Sequence, residues 1–144
     1  MTNEADALAR RVAEAMLANE GTGAAWGIVL EEARLGYARI SMQLRADMMN
    51  GHGAAHGGIT FALADTAFAY ACNSRNQTTV GHQATISYLD GAKDGETLIA
   101  EAQETAHVGR TGTYYVSVRT ADGRAIAEFM GTSRTIGGPY LKGD

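Results

Sequence analysis

A chain of 144 residues, 45% of them hydrophobic and 19% charged, has the length and composition of one soluble domain with a core of its own. Its formal net charge of −4 at pH 7 excludes the basic footprint needed on nucleic acid or an anionic membrane, and no run approaches the ~18 to 20 apolar residues of a membrane span. The single cysteine, Cys72, excludes an internal disulfide, and the acidic N-terminus has no apolar signal core, so a reducing, cytoplasmic setting is expected.

Residues Asn3 to Asn19 read as an amphipathic helix. Leu8, Val12 and Met16 recur every four positions while Arg10, Arg11 and Glu14 turn outward, with Asn3 as N-cap and Gly21 as the stop. Strands are expected over Trp26 to Glu31 and Tyr37 to Arg45, the second alternating with Ile40, Met42 and Leu44 on one face. A glycine-rich loop, Asn50 to Gly58, leads into Ile59 to Asn73, an alanine-rich segment that is apolar all round and so reads as a buried helix. Four more strands follow: Ala84 to Leu89; Thr97 to Thr105, with Leu98, Ala100 and Ala102 on one face; Thr113 to Thr120; and Arg124 to Thr135. Asp122-Gly123 is a hairpin-turn dipeptide between the last two. Long antiparallel strands around one central helix make an α+β domain spanning residues 1–144, and a sheet wrapped on one helix leaves edges that favour self-association.

Two features carry chemistry. Gly57 and Gly58 stand at the start of the buried helix, where unpaired N–H groups and the helix dipole suit an oxyanion, although glycines there also serve simply to permit a tight turn. Asp65 is the one charged residue between His56 and Arg75, placed mid-helix among apolar neighbours. A carboxylate in that setting is either a structural one, hydrogen-bonded to a neighbouring backbone or reaching a surface, or an active-site group. Gly57 and Asp65 are eight residues apart, ~12 Å along a helix at 1.5 Å per residue. A substrate touching both therefore needs Asp65 from a second, antiparallel copy of the helix, as in a twofold dimer. His52 and His56 lack the acidic or sulfur ligands of a zinc pattern, so no metal is expected; His56 more plausibly positions the loop or a ligand, and His82 and His107 read as surface or strand residues. Cys72 reads as an inert core thiol. The absence of a Gly-x-Ser-x-Gly elbow argues against a serine hydrolase, and phosphate-loop and dinucleotide fingerprints are missing as well.

The run MMNGHGAAHGGITFALADTAFAYACNSRN, followed by TISYL and SRTIGG, resembles the PaaI group of hotdog-fold thioesterases associated with phenylacetate degradation, and the likeness covers nearly the whole chain. The resemblance implies a long sheet wrapped around a central helix, dimers that assemble as tetramers, and hydrolysis of acyl-CoA thioesters, hydroxylated phenylacetyl-CoA species above all. It implies that the Gly57 N–H polarises the thioester carbonyl and that Asp65 of the partner subunit acts as general base or nucleophile. His56 and Asn50 would orient substrate or water. Arg110, Thr111 and Gly112, with Arg134, would hold the coenzyme A portion, which enters as substrate, so that no separate cofactor is implied. One departure stands out: Asp90-Gly91 occupies the place where relatives carry a basic residue and a proline. The alternatives are a hotdog dehydratase acting on 3-hydroxyacyl thioesters, for which the expected proline-glycine loop is missing, and a non-catalytic acyl-CoA sensor, in which Asp65 would have little purpose.

Overall fold

The structure, a computed structural model, describes residues 3–143. Helix α1 (Glu4–Asn19) and a short α2 (Gly21–Trp26) precede strands β1 (Val29–Arg34) and β2 (Tyr37–Gln43). A 3-10 turn (Ala46–Met48) and a loop lead into α3 (Gly57–Cys72), after which come β3 (Thr79–Tyr88), β4 (Thr97–Val108), β5 (Thr111–Thr120) and β6 (Ala125–Thr135). The six strands form one antiparallel sheet in the order β1-β2-β4-β5-β6-β3. It curves around α3, which packs on strands β1 to β6, while α1 lies along the β1 edge.

The alternation read from the sequence sets the inner face. Ile40, Met42 and Leu44 are buried, as are Leu98, Ala100 and Ala102 on the neighbouring strand. Tyr114, Val116 and Val118 of β5 and Phe129 of β6 continue the layer. Against it α3 lays Leu63, Ala64, Ala67, Phe68 and Ala71. Phe68 fixes how close helix and sheet come. Its ring packs edge-on to Tyr114 with centroids 5.4 Å apart and tilted against Phe129 at 5.7 Å, contacts worth about 0.5–1.5 kcal/mol beyond burial for each such pair. A β-carbon at Gly81 or at Gly131 would lie 2.5 or 2.9 Å from that ring, so both strands need glycine beneath it.

Several element boundaries differ from the sequence expectation for local reasons. Trp26 ends a helix instead of starting a strand: the alanines before it join α2, which Gly27 caps in the left-handed conformation (φ +67°), and β1 begins only at Val29. Gly21, expected as the stop of α1, opens α2, and Glu20 is the cap. β2 ends at Gln43, where the Arg45 side chain turns to the Ala25 carbonyl and to Asp47. β3 begins at Thr79, well ahead of Ala84, because Gly81 and a bulge at His82 break its alternation without ending its pairing to β6. β4 and β5 run on to a turn at Gly109-Arg110, with Gly109 at φ +60°. The Asp122-Gly123 hairpin is present, with Gly123 at φ +94°.

The central helix is not buried all round. Gly58 and Asp65 are exposed in the single chain, and Phe61, Ala62, Thr66 and Ala69 beside them are only partly covered. The sheet wraps one side of α3 and stops at β3, an edge strand that carries the exposed Val80 and Tyr88 and has no strand on the side away from β6.

Asn73, 2% exposed, joins the end of α3 to β3. Its Oδ1 accepts the Thr79 N–H at 2.9 Å, and its Nδ2 donates to the carbonyls of Thr79 (3.0 Å) and Ala69 (2.9 Å). Asn73→Ala removes all three bonds and strands buried backbone groups, so a loss of about 2–3 kcal/mol in urea unfolding is expected. A change below 0.5 kcal/mol (roughly the noise of an exposed substitution) would show that the junction is held by packing alone.

Candidate active site

The start of α3 is held by its own loop. The Asn50 N–H donates to the Ala54 carbonyl (2.7 Å), the Ala55 N–H to Ala92 (2.7 Å) and the His56 N–H to Met48 (2.9 Å). Asn50 Oδ1 accepts from the N–H groups of His52 and Ala54 at 2.9 and 3.1 Å, so this residue, which lines a cleft, first of all shapes the loop. His56 is the N-cap, and its Nδ1 accepts the Gly58 N–H at 2.9 Å. That bond requires an unprotonated Nδ1, so a neutral His56 carries its proton on Nε2. The His56 carbonyl takes the N–H groups of Ile59 (2.9 Å) and Thr60 (3.1 Å).

The Gly57 N–H is thereby left without an acceptor among the described residues. Gly57 lines a cleft of about 410 Å³ together with Asn50, Thr60, Tyr88, Asp90 and Ile126. An unpaired amide at a helix N-terminus, backed by the dipole, is a donor prepared for an oxygen that gains negative charge.

Asp65 lies in a different cleft, of about 490 Å³, walled by Met16, Phe61, Phe68 and Ala69 of the helices and by Gly81, His82 and Gln83 of β3. It makes no hydrogen bond or ion pair among the described residues, and in the single chain it reaches solvent. Although part of Asp65 reaches solvent, the surrounding apolar walls desolvate it and raise its pKa above that of a free aspartate. Cys72 lines the same cleft; burial, then the nearby charge of Asp65, push its thiol up to about 12, so it is an inert thiol at neutral pH. The two clefts share no residue. Within one chain, the structure keeps Gly57 and Asp65 apart.

Arg110, Thr111, Gly112 and Arg134 come together at the end of the sheet nearer Asp65. Thr111 pairs with Arg134 across β5 and β6, Arg134 pairs with Val80 of β3, and the Thr135 N–H donates to the Arg110 carbonyl at 2.8 Å. Arg110 and Arg134 are exposed and hold no carboxylate among the described residues, whereas Arg34, Arg39, Arg45, Arg75, Arg119 and Arg124 all do. Gly112 is buried under the Tyr114 ring and the Ser133 hydroxyl, so its place in the chain is a packing one. Asp90 is paired to Arg124 at 3.1 Å, and the Arg124 fork also grips Glu96, so the guanidinium at this rim of the Gly57 cleft is already paired. Among the described residues no three His, Cys, Asp or Glu side chains converge as a metal site, and no helix is long and apolar enough to cross a membrane.

Two residues in these clefts were not singled out from the sequence. His82, read as an ordinary strand residue, is the bulged residue of β3 and lines the Asp65 cleft. Tyr88 donates its hydroxyl to the Gly57 carbonyl at 2.9 Å. A tyrosine in an alternating strand carries no signal of such a contact.

Comparison with known proteins shows the family of the chain. Residues 52–127 match the family model of the thioesterase superfamily. The acyl-coenzyme A thioesterase PaaI of Escherichia coli K12 is 40% identical over 126 residues, covering 88% of this chain and 90% of that protein. The solved structure of the E. coli PaaI protein from the phenylacetic acid degradation operon superposes with a TM-score of 0.92 at 38% identity, over 94% of this chain and 99% of that one. An asparagine-to-aspartate mutant of the phenylacetic acid degradation protein PaaI from Thermus thermophilus superposes with a TM-score of 0.78 at 34% identity, over 81% and 100%. The chain belongs to the thioesterase superfamily, as a hotdog-fold enzyme of its PaaI group.

Proposed function

We propose that the protein hydrolyses aryl-acyl-CoA thioesters of the (hydroxy)phenylacetyl type to the free acid and coenzyme A, at sites shared by two subunits. One observation carries this reading: an amide donor without an acceptor and a carboxylate without a partner lie in separate clefts of one chain, ~12 Å apart along one helix. The open edge of β3 supplies the way to join them. Two β3 strands pairing antiparallel across a twofold axis set the Thr79 end of one against the Tyr88 end of the other. The Asp65 cleft then faces the partner's Gly57 cleft, and the open stripe of α3, small at Gly58, Ala62 and Ala69, admits a second helix.

In that site the thioester carbonyl accepts the Gly57 N–H, while Asp65 of the partner subunit takes a proton from water as the water oxygen attacks the carbonyl carbon. The tetrahedral oxyanion rests at the helix N-terminus. Its collapse breaks the C–S bond and releases the coenzyme A thiolate, and the reaction needs no further cofactor. Desolvation of Asp65 strengthens it as a base. His56 holds the turn, and Asn50, which lines the cleft, orients substrate or water. The unpaired Arg110 and Arg134, with Thr111, hold the phosphates of coenzyme A at the sheet end, where guanidinium forks match phosphate geometry. Phe61 and Phe68 support an aromatic acyl group, as does the likeness to proteins named for phenylacetate breakdown. Assembly of dimers into a tetramer, in the cytoplasm, completes the proposal.

Asp65→Asn should leave the thermal transition unchanged and lower kcat on phenylacetyl-CoA by at least about a hundredfold. Because Asp65 works ionised and its pKa is raised, the acid limb of the wild-type kcat/KM profile should lie above the ~3.9 of a free aspartate. Thiol-release assays across pH check both, and an Asp65→Asn enzyme with most of its rate would refute the role.

Gly57→Pro is the matching test of the donor. Proline is favoured at the first helical position and lacks an N–H, and His56 (φ −59°, ψ 135°) already has the extended backbone that precedes proline. A folded Gly57→Pro protein should lose ~10²- to 10³-fold in kcat/KM. Retention of the wild-type value would show that the amide donates nothing to the reaction.

A further inference from the structure

The peptide group between Gly57 and Gly58 is gripped at both ends by side chains. His56 Nδ1 accepts its N–H at 2.9 Å, and the Tyr88 hydroxyl donates to its carbonyl at 2.9 Å. The peptide before it carries the Gly57 N–H, and that peptide's carbonyl, from His56, is held by Ile59 and Thr60. Two consecutive glycines offer the backbone its greatest freedom, so whatever fixes the plane between them fixes the direction of the N–H one bond earlier.

Tyr88 does more than share a hydrogen bond. A β-carbon at Gly57 would lie 3.1 Å from its ring and hydroxyl, so the phenol end lies directly over the Gly57 backbone. The side chain is 54% exposed in the single chain and is not a core filler. It projects from the last residue of β3, 31 positions along the chain, toward one backbone carbonyl.

We propose that Tyr88 is a positioning residue of the oxyanion donor: with His56 it clamps the Gly57–Gly58 peptide and holds the Gly57 N–H on the thioester oxygen of the transition state. This rests on the thioesterase reading above. Tyr88 acts through the backbone and touches no reacting atom. Its hydroxyl therefore matters to the rate of the chemical step far more than to substrate binding.

The test is Tyr88→Phe, which keeps the ring and removes the hydroxyl, assayed on phenylacetyl-CoA alone and in the Gly57→Pro background. Tyr88→Phe should lower kcat by about tenfold, as expected of a misaligned donor, with KM within about twofold and an unchanged thermal transition. With the donor deleted by Gly57→Pro, whose β-carbon also makes the Tyr88 phenol give way by a few tenths of an ångström, the same substitution should lower kcat by less than about twofold, because no donor is left to align. A Tyr88→Phe enzyme with the wild-type kcat would overturn the proposal, as would an equal loss in both backgrounds. If the wild-type protein released no thiol, the thioesterase reading would fall and take this inference with it. Full activity of Tyr88→Phe alongside a dead Asp65→Asn removes the Tyr88 clamp alone.

Discussion

An α-helix advances a fixed 1.5 Å per residue, and the eight residues from Gly57 to Asp65 therefore separate an anion-binding end from a carboxylate by ~12 Å that no side-chain motion can close. The packing makes this rod immovable. Phe68, in the second half of the helix, has its ring over Gly81 and Gly131 and against Tyr114 and Phe129, so α3 can neither slide along the sheet nor roll on it without a clash. One chain thus presents Gly57 and Asp65 to different clefts. Everything proposed about function depends on that separation, because chemistry that needs both groups must recruit a second chain.

The fold divides its charges in the same sense. On the outer face of the sheet, Glu32, Arg34, Tyr37, Arg39, Glu101 and Arg119 form a continuous paired network, and Tyr37 bonds Glu101. Beneath α3, Arg75 makes a bidentate pair with Glu104 at 2.7 and 2.9 Å, and Tyr114 adds a third bond. The Arg75 guanidinium is the main cause holding the Glu104 carboxyl below the usual glutamate range, so this support is present at neutral pH and is lost as pH falls through that lowered value. Asp65, Arg110 and Arg134 stand outside these networks. The proposed function rests on these three groups, which the networks leave out.

Much of this was legible in the sequence where one rule acted alone. The period-two patterns at Ile40, Met42, Leu44 and at Leu98, Ala100, Ala102 named the inner face correctly, and the lone Asp65 of the alanine-rich helix lines a cleft. Competing local rules hid the rest. Trp26 is followed by strand-like Ile28 and Val29, yet a left-handed Gly27 divides a helix from a strand there. Gly81 and the bulged His82 conceal half of β3, because a bulge shifts the alternation without ending the pairing. The apolar composition of α3 suggested burial on every side, whereas one stripe is open in the single chain, since composition does not say whose atoms cover a face. The Tyr88 contact with Gly57 is invisible for another reason: it is made across 31 residues by an unremarkable strand tyrosine.

The shared site is tested most directly by mixing two inactive parents. In a dimer of one Asp65→Asn subunit and one Gly57→Pro subunit, one site carries both substitutions and the other carries neither. Equal mixing with free subunit exchange makes half the dimers mixed, so thiol release from phenylacetyl-CoA should rise from near zero to about a quarter of the wild-type rate. A mixture that stays at the level of its two parents, with subunit exchange demonstrated, would contradict the account and return both groups to a single chain.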